Sequence, residues 1–120
     1  MWVMTHEELL RTMYDGFNAR DIDAVLAAMA EDVDWPNGWE GGRLLGHDAV
    51  RDYWTRQWSA IDPHVEPVEI GPRSDGRLEV TVHQMVRDLD GKVLADGTVR
   101  HVYEMQSGLV ARMDIERVEA

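Results

Sequence analysis

His101-Val-Tyr-Glu-Met-Gln-Ser-Gly-Leu-Val-Ala-Arg-Met-Asp114 reads as two β-like runs on either side of Ser107-Gly108. Small residues that tolerate positive φ between two such runs mark a hairpin turn. A turn at Ser107-Gly108 predicts His101 opposite Asp114 and Tyr103 opposite Arg112. Opposed side chains share a face of the sheet, with Cβ atoms about 4.5–5.5 Å apart. A His beside a carboxylate is a proton-transfer unit when it faces a dry cavity, and a plain polar pair when it faces water. A three-residue turn would instead set Asp114 opposite Arg100 and flip His101 away. Both faces of the hairpin mix polar and apolar residues, so periodicity leaves both registers open.

Upstream of the hairpin, from Asp62-Pro63 on, runs rich in Val, Ile and Thr are separated by Ser74-Asp75-Gly76 and Asp90-Gly91. These are turn signals, so the hairpin closes a four-strand antiparallel meander. Asp96-Gly97 falls inside a strand pattern, where a bulge is expected rather than a turn. That bulge would bring His83 to the face of His101. A regular strand brings Gln84 there and keeps Val80 and Val82 inside with it, which is the favoured reading.

Before the strands the period changes to helical. Thr5 and Glu8 form a capping box, with Met4 and Leu9 at staple positions. Leu9, Leu10, Met13, Tyr14 and Phe17 make one apolar stripe. Asn18-Ala-Arg-Asp21 breaks that helix, and Asp21 caps a short second one bearing Ile22, Val25, Leu26 and Met29. Asp32 to Trp35 is extended and Pro36 stops it. Pro36 to Gly46 holds four glycines and reads as a loop with Trp39 in it, a candidate lid or dimer contact. A third helix runs from His47 to Ala60 with Val50, Tyr53, Trp54, Gln57 and Trp58 as its stripe. The fold predicted is a single α+β domain over residues 1–120. Three helices lie on one face of a strongly curved antiparallel sheet, leaving an apolar pocket in its concavity.

Composition narrows the chemistry. Without cysteine, disulfides, thiolate metal sites and Cys nucleophiles are excluded. A net charge of −11 disfavours nucleic acid and anionic membrane as partners. Lys92, beside a turn, is the sole lysine and a poor Schiff-base candidate. The histidines are scattered without metal-binding spacing, and no phosphate loop, dinucleotide fingerprint or nucleophile elbow occurs, so neither metal nor cofactor is expected. The first residues lack a basic region and a long apolar run, and no stretch reaches the roughly 20 apolar residues of a membrane span. A soluble, cytoplasmic protein is the expectation.

Tyr14-Asp-Gly-Phe-Asn-Ala-Arg-Asp-Ile-Asp-Ala-Val-Leu-Ala-Ala-Met-Ala-Glu-Asp-Val-Asp-Trp35 resembles the opening of SnoaL-like proteins. These belong to the nuclear-transport-factor-two-like superfamily, with its ketosteroid isomerases and polyketide cyclases. Gly46-His-Asp-Ala-Val-Arg-Asp-Tyr-Trp54 resembles the third helix of that family, and His101-Val-Tyr103 with Gly108 to Ile115 its closing hairpin. The resemblance implies a cone-shaped, cystatin-like α+β roll around a pocket, and a homodimer packed through the sheet. It implies that His101, Asp114 and Tyr14 serve the pocket chemistry, as a His, an Asp and a Tyr do in the polyketide cyclases. The hairpin turn is about one residue shorter than is common there. The ketosteroid isomerases match less well, since Met13, Trp35 to Asn37 and Arg100 fall where their Tyr, base Asp and oxyanion Asp would stand.

The candidate catalytic pair is therefore His101 and Asp114, moving a proton α to a carbonyl without a cofactor, as cyclase or isomerase. Tyr14, Tyr103 or Arg112 would hold the developing oxyanion, unless Arg112 only neutralises Asp114. Trp35, Trp54 and Trp58 would floor a site for a flat apolar or polycyclic ligand, with Gln84 beside them. A non-catalytic ligand-binding or accessory domain is the alternative. Epoxide hydrolysis through Arg112 and Asp114 is a weaker one, lacking a second pocket carboxylate.

Overall fold

A computed structural model describes residues 5–118. Thr5 opens helix α1 (His6–Asn18): its hydroxyl accepts from the Glu8 amide while the Glu8 carboxylate takes up the Thr5 amide, the predicted capping box. The Met4 half of the staple lies outside the described residues. Asp21 caps α2 (Ile22–Leu26) through the Ala24 amide. The chain then forms β1 (Met29–Pro36), β2 (Arg43–Leu45), α3 (His47–Ala60), β3 (Asp62–Pro72), β4 (Leu78–Arg87), β5 (Val93–Gln106) and β6 (Leu109–Arg117). The strand β2 is new relative to the sequence reading, which had only a loop from Pro36 to Gly46. Its three residues pair with Asp34 to Pro36, a pairing the glycines around it concealed.

The sheet runs β2-β1-β6-β5-β4-β3, and β3 to β6 form the predicted antiparallel meander. The helices cover one face of this curved, unclosed α+β sheet, α1 against β3 and α3 against β1. Between them lie Leu10, Val25, Val33, Val50, Val80, Val82, Tyr103 and Val110, none more than 1% exposed. Both edges are blunted: β2 is three residues long, and β3 carries Pro63, Pro67 and Pro72. The edge strand β3 is held to α1 by Asn18. Its side-chain amide donates to the Val65 carbonyl (2.7 Å) and accepts from the Val65 amide (2.9 Å), as a neighbouring strand would. No described helix is long and apolar enough to cross a membrane.

The closing hairpin turns where predicted. Ser107 and Gly108 both take positive φ, 53° and 80°, the pattern of a type I′ turn. Beyond the turn the register departs from both expected ones. Gln106 pairs with Leu109 and Met105 with Val110, but Glu104 then pairs with Arg112, leaving Ala111 as an extra residue. From there on Tyr103 faces Met113, Val102 faces Asp114 and His101 faces Ile115. The cause is the spacing of two apolar residues. Val110 and Met113 are both buried in the core, three positions apart. Strict alternation would expel one of them, and a bulge turns both inward. At Asp96-Gly97, in contrast, the strand is regular, with Gly97 opposite Gln84, so the expected bulge is absent there.

Candidate functional site

A cavity opens between the helices and the covered face of the sheet. Its volume is about 100 Å³. Helix α1 contributes Met13, Tyr14 and Phe17; α3 contributes Tyr53, Trp54 and Gln57; the strands supply Trp35, Val65, Gln84, His101, Tyr103 and Met113. Phe17, Pro36, Gln57, Gln84 and Ile115 keep surface exposure and form the rim.

Alternation along β5 turns His101 and Tyr103 inward together. The stripe of α1 delivers Tyr14 to the same point. Its hydroxyl lies 2.7 Å from His101 Nδ1 and 2.6 Å from the Tyr103 hydroxyl, and Tyr103 stands 3.5 Å from Nδ1. Burial alone pushes the His101 imidazole down to about 4, so it is neutral at neutral pH. Burial also holds the Tyr14 and Tyr103 phenols well above their ordinary value, with each other's proximity adding to it for Tyr14. The cavity floor is thus a three-membered network of neutral groups. Around it Trp35 meets Trp54 edge to face, centroids 5.6 Å apart, and leans on Tyr103 at 6.3 Å.

Of the residues expected at the site, Tyr14, Trp35, Trp54, Gln84, His101 and Tyr103 line the cavity. Three do not. Asp114 and Arg112 lie on the helix-free face of the sheet, because the bulge at Ala111 moves Asp114 to the side opposite His101. There Arg112 grips Asp114 with two hydrogen bonds of 3.0 and 3.1 Å and reaches Asp34 at 2.8 Å. Arg43 bridges the same two carboxylates at 2.7 and 3.1 Å. Arg112 holds the Asp114 carboxyl below its ordinary value. This compact ion network ties β1, β2 and β6 together. Trp58 stacks on Trp54 outside the cavity, centroids 5.9 Å apart, with the Arg20 guanidinium over its ring. His83 points outward to Asp96 at 2.6 Å.

Tyr53, Gln57, Met13 and Met113 were not singled out as site residues. Tyr53 and Gln57 were visible in the stripe of α3, and Gln57 donates to the Tyr53 hydroxyl at 3.2 Å. The loop from Asn37 to Gly42 sets Trp39 against Tyr53, centroids 6.5 Å apart, and Glu40 fixes that loop to Arg56 at 2.8 Å. No group of three or more His, Asp or Glu placed to hold a metal occurs among the described residues.

The family model of the SnoaL-like domain matches residues 10–113. The chain belongs to that family. Solved structures bear out the fold of this SnoaL-like domain. TerC, co-crystallised with polyporic acid, is 28% identical over 94% of this chain and 91% of its own, with a TM-score of 0.81. An NTF2-like protein of unknown function from Burkholderia pseudomallei K96243 is 25% identical over 96% and 92%, with a TM-score of 0.81. A protein provisionally described as a polyketide cyclase, from Pseudomonas putida KT2440, is 22% identical over 97% and 93%, with a TM-score of 0.76. No curated protein matches the chain.

Proposed function

We propose that this SnoaL-like domain binds a flat, largely apolar, uncharged molecule and polarises its carbonyl oxygen at the His101 end of the cavity. The observation that carries this reading is the Tyr14–His101–Tyr103 network set into an aromatic and aliphatic wall, with Gln57 and Gln84 at the rim. Apolar walls supply affinity and a few convergent polar groups fix orientation. Among the described residues no Asp, Glu, Lys or Arg lines the cavity, and an ionised ligand finds no counter-charge among them. The co-crystallisation of TerC with polyporic acid supports the binding of a small molecule by this fold.

Polarising a carbonyl is one half of cofactor-free acid–base chemistry α to it, as in a cyclase or isomerase. One observation favours a second, non-catalytic reading. Among the described residues no Asp, Glu or Lys base lines the cavity, and His101 is a weak base. Epoxide hydrolysis draws no support, since Arg112 and Asp114 lie on the other face of the sheet. A homodimer through that helix-free face belongs to the same proposal, supported by the family resemblance, and sedimentation equilibrium tests it.

2-Tetralone, a flat neutral ketone with acidic α-hydrogens, serves as the probe. It is expected to quench the fluorescence of Trp35 and Trp54, and to bind about tenfold more weakly to His101→Leu, the worth of one buried hydrogen bond. No binding to the wild type would sink the proposal. Exchange of its α-hydrogens in D₂O, followed by proton NMR, separates the readings: acceleration above the buffer rate means chemistry, and an unchanged rate means binding alone.

A further inference from the structure

The three groups on the cavity floor hold a fixed number of hydrogens, and only some arrangements place them all. Tyr14 and Tyr103 each carry one hydroxyl hydrogen, and among the described residues their hydroxyls have only each other and His101 Nδ1 as partners. If Nδ1 is an acceptor, Tyr103 donates to the Tyr14 oxygen and Tyr14 donates to Nδ1, so both hydrogens are placed. If Nδ1 carries a hydrogen, it donates to Tyr14 and Tyr14 donates to Tyr103. The Tyr103 hydrogen then has no acceptor, because the one atom left in reach, Nδ1, has no lone pair to offer. Tyr103 is 0% exposed, so water cannot take that hydrogen either. A buried donor left unmade costs about 1–3 kcal/mol, or roughly fivefold to 150-fold in population.

His101, in contrast, keeps 7% of its surface exposed and lines the cavity, and its Nε2 has no hydrogen-bond partner among the described residues. We infer that the two tyrosines hold His101 as the neutral Nε2–H tautomer, so that it presents a hydrogen-bond donor to the cavity and selects ligands that place an acceptor oxygen there. His101 is then the electrophile of the site rather than its base. The ligand half of this inference rests on the reading of the cavity as a small-molecule site; the tautomer does not.

The test begins on ligand-free protein labelled with ¹⁵N, in long-range proton–nitrogen correlation spectra of the imidazoles. The His101 signals are those missing from His101→Gln; should that variant fold poorly, Tyr103→Phe identifies them as the signals it displaces. The expected result is an unprotonated Nδ1 and a protonated Nε2, favoured at least about fivefold over the other tautomer. The pattern should hold from about pH 6 to about pH 8. An Nδ1–H pattern, or an imidazolium at neutral pH, overturns the inference. Calorimetry then compares 2-tetralone, an acceptor, with indole, a donor of similar size. Tetralone is expected to bind at least about tenfold tighter, and a preference for indole overturns the selectivity. If neither binds while the spectra show Nε2–H, the reading of the cavity fails and the tautomer stands.

Discussion

The ring of Tyr14 lies almost parallel to that of His101, 12° between planes with centroids 5.9 Å apart, while its hydroxyl bonds Nδ1. One side chain from α1 thereby fixes both the plane and the hydrogen bonding of the buried imidazole. Removing only the hydroxyl tests the second task alone. Tyr14→Phe is expected to cost about 1–3 kcal/mol of stability, because it strips one buried partner from both His101 and Tyr103. Urea denaturation measures it, and an unchanged midpoint would show that the network contributes nothing to the fold.

The imidazole also makes stability depend on pH. His101 binds its proton at about 4 in the folded chain against 6.5 as the reference. Between those values the unfolded state carries a proton that the folded state refuses, so stability rises with pH across that window. The contribution is fully present above the unfolded value, and is lost as pH falls from 6.5 toward 4. Its size is on the order of 3 kcal/mol. His101→Gln should flatten this part of the curve in denaturation series across that range. Equal slopes for variant and wild type would refute the assignment.

Asp114→Asn addresses the network on the other face. The carboxylate is held by Arg112 and Arg43 and does not reach the cavity. Binding of 2-tetralone, and any exchange of its hydrogens, should be unchanged. Stability should fall slightly, by an amount that shrinks in high salt, as for exposed ion pairs. A loss of binding or exchange in the folded variant would return Asp114 to the site.

Asn18 is expected to control the cavity wall from a distance. Its amide completes the backbone of Val65, a lining residue on β3. Asn18→Asp loses the donor and sets a carboxylate against the Val65 carbonyl. A cost of about 1–3 kcal/mol is expected, with faster hydrogen exchange of the Val65 amide. Exchange unchanged at Val65 would show that α1 does not hold this edge.

Much of this was legible in the sequence where the signal was local. The capping box of Thr5 and Glu8, the stripe of α3 and the turn at Ser107-Gly108 each depend on residues a few positions apart, and each forms as read. The strand β2 was hidden because its pairing is with β1, not with anything its own glycine-rich surroundings reveal. His101, Tyr103 and Tyr14 were each legible as candidates, but their mutual contact spans 87 and 89 positions and needs the packing of α1 on the sheet. The hairpin register departs from strict alternation because Val110 and Met113 cannot both turn inward along an unbroken strand. That spacing was the missed sign of the bulge.

The register of β6 makes the identity of the site a matter of chain length. As the strand stands, Asp114 faces Val102 and sits among arginines on the far face. One residue inserted between Met113 and Asp114 would set Asp114 opposite His101, placing a carboxylate beside a buried imidazole with no change of any other residue. A scaffold of this kind can gain or lose an acid–base pair through a single-codon insertion or deletion near a hairpin tip, a route that comparing substitutions alone would never reveal.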